Sequence, residues 1–249
     1  TEEVFGLDLV EWQYRIAQKE KLTDEVLKPS AKGHAIEVRI YAEDPDNGFL
    51  PVSGPVDAFV PFAGPGIRWE YGIDPVDEIT TNFDPMIAKL ISYGSDKKQA
   101  VDRLIQALQK TFLATPKSNV TFLIQLLQDK SYLDGTLTVS YVEKHLQKIY
   151  QKKSELSDEQ MQFASKILDA AQKPAFDGSP SSLLAQAYAA DVKKTGANLI
   201  VYADLKSTNF KRMTTYGVLA DPKLGDQNYY FALSSERGLK RYWLGVNGQ

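Results

Sequence analysis

Arg39 stands in the middle of HAIEVRIYAEDP (34–45), a stretch that otherwise reads as a strand, and Asp84 stands in NFDPM (82–86), just ahead of a second apolar run. A guanidinium is always charged and presents a rigid fork of donors. Held on a strand, it suits a carboxylate, a bicarbonate or an oxyanion that develops during a reaction. An aspartate in the turn before a neighbouring strand could orient that fork. The competing reading is a solvated arginine on the open face of an antiparallel sheet, cross-paired with an acid. The local chemistry leaves both readings open.

Other chemistry is sparse. The chain has no cysteine, which removes disulfides, thiolate metal sites and cysteine nucleophiles, and its two histidines, His34 and His145, lie far apart without partners at catalytic spacing. A structural role suits each, and no metal site is expected. Gly64-Pro65-Gly66 is a turn rather than a phosphate cradle, because neither GxxxxGK[ST] nor a helix-opening GxGxxG occurs. Trp12, Trp69 and Trp243 read as core or domain-contact residues.

The elements that would position Arg39 follow from periodicity. Ile36, Val38, Ile40 and Ala42 alternate with Ala35, Glu37, Arg39 and Tyr41, so Arg39 leaves its strand on the face opposite the aliphatic one. Ahead of it, Leu9, Trp12 and Ile16 give a helix over about 8–20, then a polar loop through Pro29. Behind it come a turn cluster (43–48), a Pro- and Gly-rich segment of short strands to Gly66, and strands over 67–71 and 78–81. The run 86–93 is ambiguous; Pro85 before it and Gly94 after it favour a strand. Residues 97–113 predict a strong helix with Val101, Leu104, Ile105, Leu108 and Phe112 on one face, followed by helices over about 118–128 and 139–153. Strands followed by helices without regular alternation predict an α+β fold, an antiparallel sheet with flanking helices.

QKKSELS (151–157) predicts a boundary, because Ser157 and Gln160 make a capping-box start. The expected units are 1–153 and 154–249. The second should hold a helix to about 172, another over 183–194, and four antiparallel strands at ANLIVYADL, RMTTYGVLA, NYYFALS and RYWLGV.

Composition sets limits on partners. With 249 residues, 43% hydrophobic, the chain can bury one large core or two smaller ones. Its 29 Lys+Arg against 32 Asp+Glu, without a basic block, argue against nucleic acid. No apolar run reaches membrane-spanning length and the N-terminus is acidic, so neither a span nor a secretory leader is expected.

Taken together, TEEVFGLDLVEWQYRIA, GHAIEVRIYAEDP, GIRWEYG, NFDPMIAKLISYG and SNVTFLIQLL, in this order and spacing, resemble the C-terminal part of biotin carboxylase, the ATP-grasp component of biotin-dependent carboxylases. The resemblance covers residues 1 to about 150. In that family Thr1 and Glu2 would directly follow the catalytic stretch RIQVEHPV, so the chain looks like a fragment cut just downstream of it. The glycine-rich ATP lid, the metal-binding glutamates and the AMKM biotin-attachment motif do not occur in it. The helices and antiparallel strands beyond 155 look like part of the helix-plus-β-barrel subunit-contact domain of acyl-CoA carboxylase α subunits, of the propionyl-CoA or methylcrotonyl-CoA type.

The resemblance implies roles for individual positions. Arg39 matches the HAxExRI arginine of the carboxylation site, which binds bicarbonate and stabilises the biotin enolate. Asp84 matches the aspartate of YDxMIxKL, with Phe83 in place of the usual tyrosine, and would hold that arginine in place. Val139, two residues before Tyr141, is the equivalent of an adenine-contacting residue, and Arg68 matches a homodimer-contact position of some members. The implied activity is ATP- and bicarbonate-dependent carboxylation of biotin on a carrier domain, with Mg2+ or Mn2+. The implied partners are the ATP-grasp portion, the carrier domain and a carboxyltransferase β subunit. The fragment alone is expected to bind no cofactor and to be inactive, in the cytoplasm or, in a eukaryote, the mitochondrial matrix. The alternative is a non-catalytic module that docks a carboxyltransferase subunit.

Overall fold

The computed structural model describes residues 1–73, 77–80 and 82–151, and the strands 198–206, 212–220, 228–236 and 239–246. Along the first part run α1 (Glu2–Phe5), α2 (Leu9–Ala17), α3 (Asp24–Leu27), β1 (His34–Tyr41), β2 (Glu43–Asp44), β3 (Leu50–Pro51), β4 (Gly54–Pro55), β5 (Ala58–Val60), β6 (Ile67–Tyr71), β7 (Glu78–Ile79), β8 (Met86–Gly94), α4 (Lys97–Lys110), β9 (Phe112–Ala114), α5 (Val120–Gln128), α6 (Lys130–Leu133) and α7 (Tyr141–Ile149). The fold is the expected α+β mixture of helices and open antiparallel sheets.

The ambiguous run 86–93 is the central strand. β8 pairs antiparallel with β1 on one side and β6 on the other, so the sheet order is β1-β8-β6. A strand hydrogen-bonded along both edges satisfies its backbone internally and can lie in a dry interior. Six of its nine residues, Ile87, Ala88, Leu90, Ile91, Ser92 and Gly94, are buried, and Met86, Lys89 and Tyr93 are partly exposed.

One face of this sheet is covered by α4. Asp96 caps that helix by accepting from Gln99 N–H at 2.8 Å, while Gln99 Oε1 accepts from Ser95 N–H at 2.9 Å. Ala100, Val101, Leu104, Ala107 and Leu108 then form a single buried stripe at helical spacing. The helix approaches the strand closely: Ser92 Oγ donates to the Ala100 carbonyl at 2.9 Å, and a Cβ on Gly94 would lie 2.6 Å from Ala100 N. Around this seam the core gathers Ile40, Val56, Phe59, Ile87, Leu90, Leu123, Ile124 and Leu127.

Several expectations shift. The helix of 97–113 stops at Lys110, because Thr111 turns extended and its Oγ1 accepts from Phe62 N–H at 3.1 Å. Phe112 is buried as expected, but in β9, paired with Val60 of β5. A β-branched residue followed by an aromatic one suits a pleated surface better than a helix end. The helices of 118–128 and 139–153 are shorter, starting at Val120 and ending at Ile149 respectively, and the polar loop to Pro29 contains α3. The apolar stripe of α2 meets no core among the described residues: Leu9 and Ile16 are exposed, as are Val10 and Tyr14, and Trp12 is half-buried with Arg15 5.0 Å from its ring centre.

Beyond residue 197 the four expected strands are present as β10 (Asn198–Lys206), β11 (Arg212–Ala220), β12 (Asn228–Glu236) and β13 (Leu239–Val246). They form an antiparallel meander in sequence order, with a register shift between Val201 and Asp204. The expected boundary at 153/154 and the helices over 157–172 and 183–194 lie outside the described residues.

Leu104 is fully buried under the sheet, so Leu104→Ala should lower stability by about 3 kcal/mol. Urea unfolding checks this; an unchanged midpoint would mean that α4 is not packed on β8 as described.

Candidate functional site

Antiparallel pairing puts the side chains of directly opposed residues on one face. Val38 opposes Leu90 and Trp69 opposes Leu90 from the other side, which defines the face toward α4. The other face carries Glu37 and Arg39 of β1, Lys89 and Ile91 of β8, and Arg68 and Glu70 of β6, because Arg39 and Glu70 both oppose Lys89 while Glu37 and Arg68 both oppose Ile91. Arg39 is thus on the face its periodicity indicated, with 61% of its side chain exposed.

A charged ladder runs across this face. Lys89 Nζ bonds Glu70 Oε2 at 2.9 Å, Glu70 Oε1 accepts from Arg68 at 2.8 Å, and Arg68 also reaches Glu3 at 2.8 Å and Glu2 at 3.1 Å. Arg68 therefore ties the N-terminal turn of the chain to β6. Lys89 holds the Glu70 carboxyl below its ordinary range, with Arg68 adding to the effect. Glu70 in turn raises the Lys89 ammonium, which Arg39 pulls back down. At Arg68, desolvation is outweighed by Glu2, Glu70 and Glu3, so its guanidinium stays above its usual value.

Arg39 stands at the less neutralised end of the ladder. Its pKa is raised first by its hydrogen bond and attraction to Tyr41, then by Glu37 and Asp84. The carboxylate within ion-pair reach is Glu37, 3.8 Å from Nε, a loose pair on an exposed surface. Asp84 acts from further away. Its Oδ1 accepts from Met86 N–H at 2.9 Å, which closes the turn into β8, and its charge, after burial, is what pushes the neighbouring Glu43 carboxyl upward. Phe83 beside it is 83% exposed.

The remaining expected positions are separate from this group. Val139 is fully exposed in the turn before α7. His145 stacks on Tyr141 with ring centres 4.4 Å apart, its Nδ1 3.0 Å from the Tyr141 carbonyl. Among the described residues no group of three or more His, Cys, Asp or Glu side chains could hold a metal ion, and no helix is long and apolar enough to cross a membrane. Periodicity places Tyr41 on the face of Arg39, but Lys89 beside it and Glu70 beyond Lys89 are supplied only by the strand register.

Residues 37–144, which include the whole ladder face of β1, β6 and β8, match the family model of the biotin carboxylase C-terminal domain. This segment is a biotin carboxylase C-terminal domain. Over 146 residues the chain is 40% identical to the mitochondrial methylcrotonoyl-CoA carboxylase subunit alpha of Mus musculus, covering 58% of this chain and 20% of that protein. It is 41% identical over 146 residues to the biotin carboxylase of Halalkalibacterium halodurans, covering 59% and 32%. Among solved structures, the biotin carboxylase domain dimer of the Hydrogenobacter thermophilus 2-oxoglutarate carboxylase, in complex with MgADP, ADP and bicarbonate, superimposes with a TM-score of 0.58 at 36% identity, covering 61% of this chain and 34% of that one. The chain thus spans between about a fifth and a third of the length of these relatives. The antiparallel sheet with α4 on one face is the fold of the biotin carboxylase C-terminal domain.

The Lys89–Glu70 pair makes a pH signature. Glu70 is held below 4.5, so its contribution to stability is complete above 4.5 and is lost as pH falls through the lowered value. Lys89 is raised above 10.5, so its contribution is complete below 10.5 and is lost only as pH rises through the raised value. Glu70→Gln should therefore flatten the loss of thermal stability below pH 4.5. If the acid limbs of mutant and wild type superimpose, the pair carries no pH-dependent stability.

Proposed function

We propose that this chain forms part of the biotin carboxylase component of a biotin-dependent acyl-CoA carboxylase, in which Arg39 stabilises charge during carboxylation of biotin on a carrier domain. The observation that carries the reading is an exposed guanidinium, fixed on a strand inside a biotin carboxylase C-terminal domain, whose nearest carboxylate is a loose partner at 3.8 Å. Such a fork keeps donors free for an incoming anion.

The chemistry needs those donors late. ATP and bicarbonate yield carboxyphosphate and ADP, and carboxyphosphate breaks down to carbon dioxide and phosphate; as the N1 proton of the ureido ring passes to a general base of the ATP-grasp portion, negative charge builds on the ureido oxygen while N1 attacks carbon dioxide. A preorganised cation that meets this charge lowers the barrier without tightening the ground state. Asp84, at longer range, biases the local field and shapes the turn that leads into β8. Val139 is proposed as an adenine contact and Arg68 as an interface residue between subunits. A divalent cation, Mg2+ or Mn2+, would neutralise the nucleotide phosphates, held by residues of the ATP-grasp portion rather than by this segment. Residues 1–153 and 154–249 are proposed as two units, the second a carboxyltransferase-contacting region in an α subunit of the methylcrotonyl-CoA or propionyl-CoA type, in the cytoplasm or mitochondrial matrix. The fragment alone should be inactive.

A second reading, a non-catalytic module that docks a carboxyltransferase subunit, is favoured by the meander β10–β13, whose outer strands β10 and β13 have no further strand beside them among the described residues. Failure of the full chain to retain a carboxyltransferase subunit in a pull-down would sink it.

In the full-length protein that carries this chain, Arg39→Ala should lower biotin carboxylation by about 10²-fold or more, the usual effect of losing a preorganised donor, with KM for ATP nearly unchanged. Activity within a few-fold of wild type would return Arg39 to the status of a solvated strand arginine.

A further inference from the structure

Asn119 is 5% exposed and occupies the N-cap position of α5. Asparagine at an N-cap ordinarily turns its side-chain oxygen onto an N–H of the first helical turn. Here it makes no such bond. Its Oδ1 accepts from Tyr41 N–H at 3.0 Å, its Nδ2 donates to the Arg39 carbonyl at 3.1 Å, and its own N–H donates to the Tyr41 carbonyl at 3.2 Å. The carboxamide offers one donor and one acceptor, the same complement as a peptide group, and it docks on the strand as a neighbouring strand would.

The place matters as much as the bonds. β1 is an edge strand of β1-β8-β6, so among the described residues the groups on its outer side have no strand to pair with. On the inner side the register with β8 shifts between Ile40 and Tyr41, with Tyr41 opposite Met86 and Ile40 opposite Ala88. A bulge breaks the ladder locally and re-aims side chains. The segment 39–41 is therefore the part of β1 least held by β8, and Asn119 grips it at both ends.

We infer that Asn119 is a positioning residue for Arg39: it spends its side chain on the bulged edge of β1 and so holds the direction in which the guanidinium leaves the strand. The inference rests on the reading of Arg39 given above. A helix-stabilising asparagine would bond α5 and leave β1 alone. Asp at this position could still cap α5 and accept from Tyr41, but could not donate to the Arg39 carbonyl.

The test uses the full-length protein, with Asn119→Asp and Asn119→Ala made in the wild type and in Arg39→Lys. Asn119→Asp should lower kcat for bicarbonate-dependent biotin carboxylation by about tenfold or more and raise KM for bicarbonate, with KM for ATP within about twofold, because small misplacements of a charged group are costly. In Arg39→Lys the same change should cost less than about threefold, since residues acting through one another are not additive. An equal factor in both backgrounds would overturn the inference. So would wild-type kinetics with a lowered melting temperature, or loss of folded protein in both Asn119 variants, which assigns the residue to the fold alone. An Arg39→Ala protein with wild-type kinetics is a separate outcome, which removes the reading of Arg39 and this inference with it.

Discussion

Everything in residues 34–128 depends on β8 being paired along both edges. Residues 88–92 pair with both β1 and β6, and six of the nine residues of β8 are buried; an unpaired strand could not be, because each orphaned amide in a dry interior costs free energy. Once β8 is central, α4 has a flat apolar surface to cover. The Ser92 hydroxyl and the missing Cβ of Gly94 let the helix backbone come close. The core of the domain is this single seam.

The same pairing sorts the charges. With α4 on one side, every charged residue of the three strands has to leave from the other, and the register lines them up as Glu37, Arg39, Lys89, Glu70 and Arg68. Most of the ladder neutralises itself: Glu70 lies between Lys89 and Arg68, and Arg68 is further matched by Glu2 and Glu3. Such exposed pairs contribute little stability. Their consequence is spatial, since acids are used up at the β6 end and Arg39, at the β1 end, has Tyr41, a loose pair with Glu37 at 3.8 Å and the longer-range charge of Asp84. A cation left under-neutralised on a rigid strand suits anion chemistry in a biotin carboxylase C-terminal domain.

Much of this was legible in the sequence where local pattern and burial agree. The alternation in 34–42 assigned Arg39 to the outward face, and the helical stripe named Val101, Leu104 and Leu108 of the buried face of α4, whereas Ile105 is only partly buried and the buried Ala100 and Ala107 were not in it. Phe112, also in the stripe, is buried in β9 instead. That residue misled because burial is common to helix and strand; the extended Thr111, bonded to Phe62, decided between them. The stripe on α2 misled in the opposite way: amphipathic spacing reports a face that wants cover, and does not say what covers it. Asp84 reaches Arg39 only as a longer-range charge, and its Oδ1 accepts from the Met86 amide in the turn into β8. The order TEEVFGLDLVEWQYRIA to SNVTFLIQLL carried the family resemblance, which no single residue did.

The sequence by itself determined most element types among the described residues, the outward face of Arg39 and the match of residues 37–144 to the biotin carboxylase C-terminal domain, because side-chain periodicity and motif order are properties of neighbours along the chain. The tertiary structure alone decided that Lys89 stands beside Arg39 with Glu70 beyond it, that a bulge lies at Ile40 and Tyr41, and that Asn119, 80 residues after Arg39, holds that strand. Those contacts depend on register and on which edge is left unpaired, and both are fixed only when distant segments pack together.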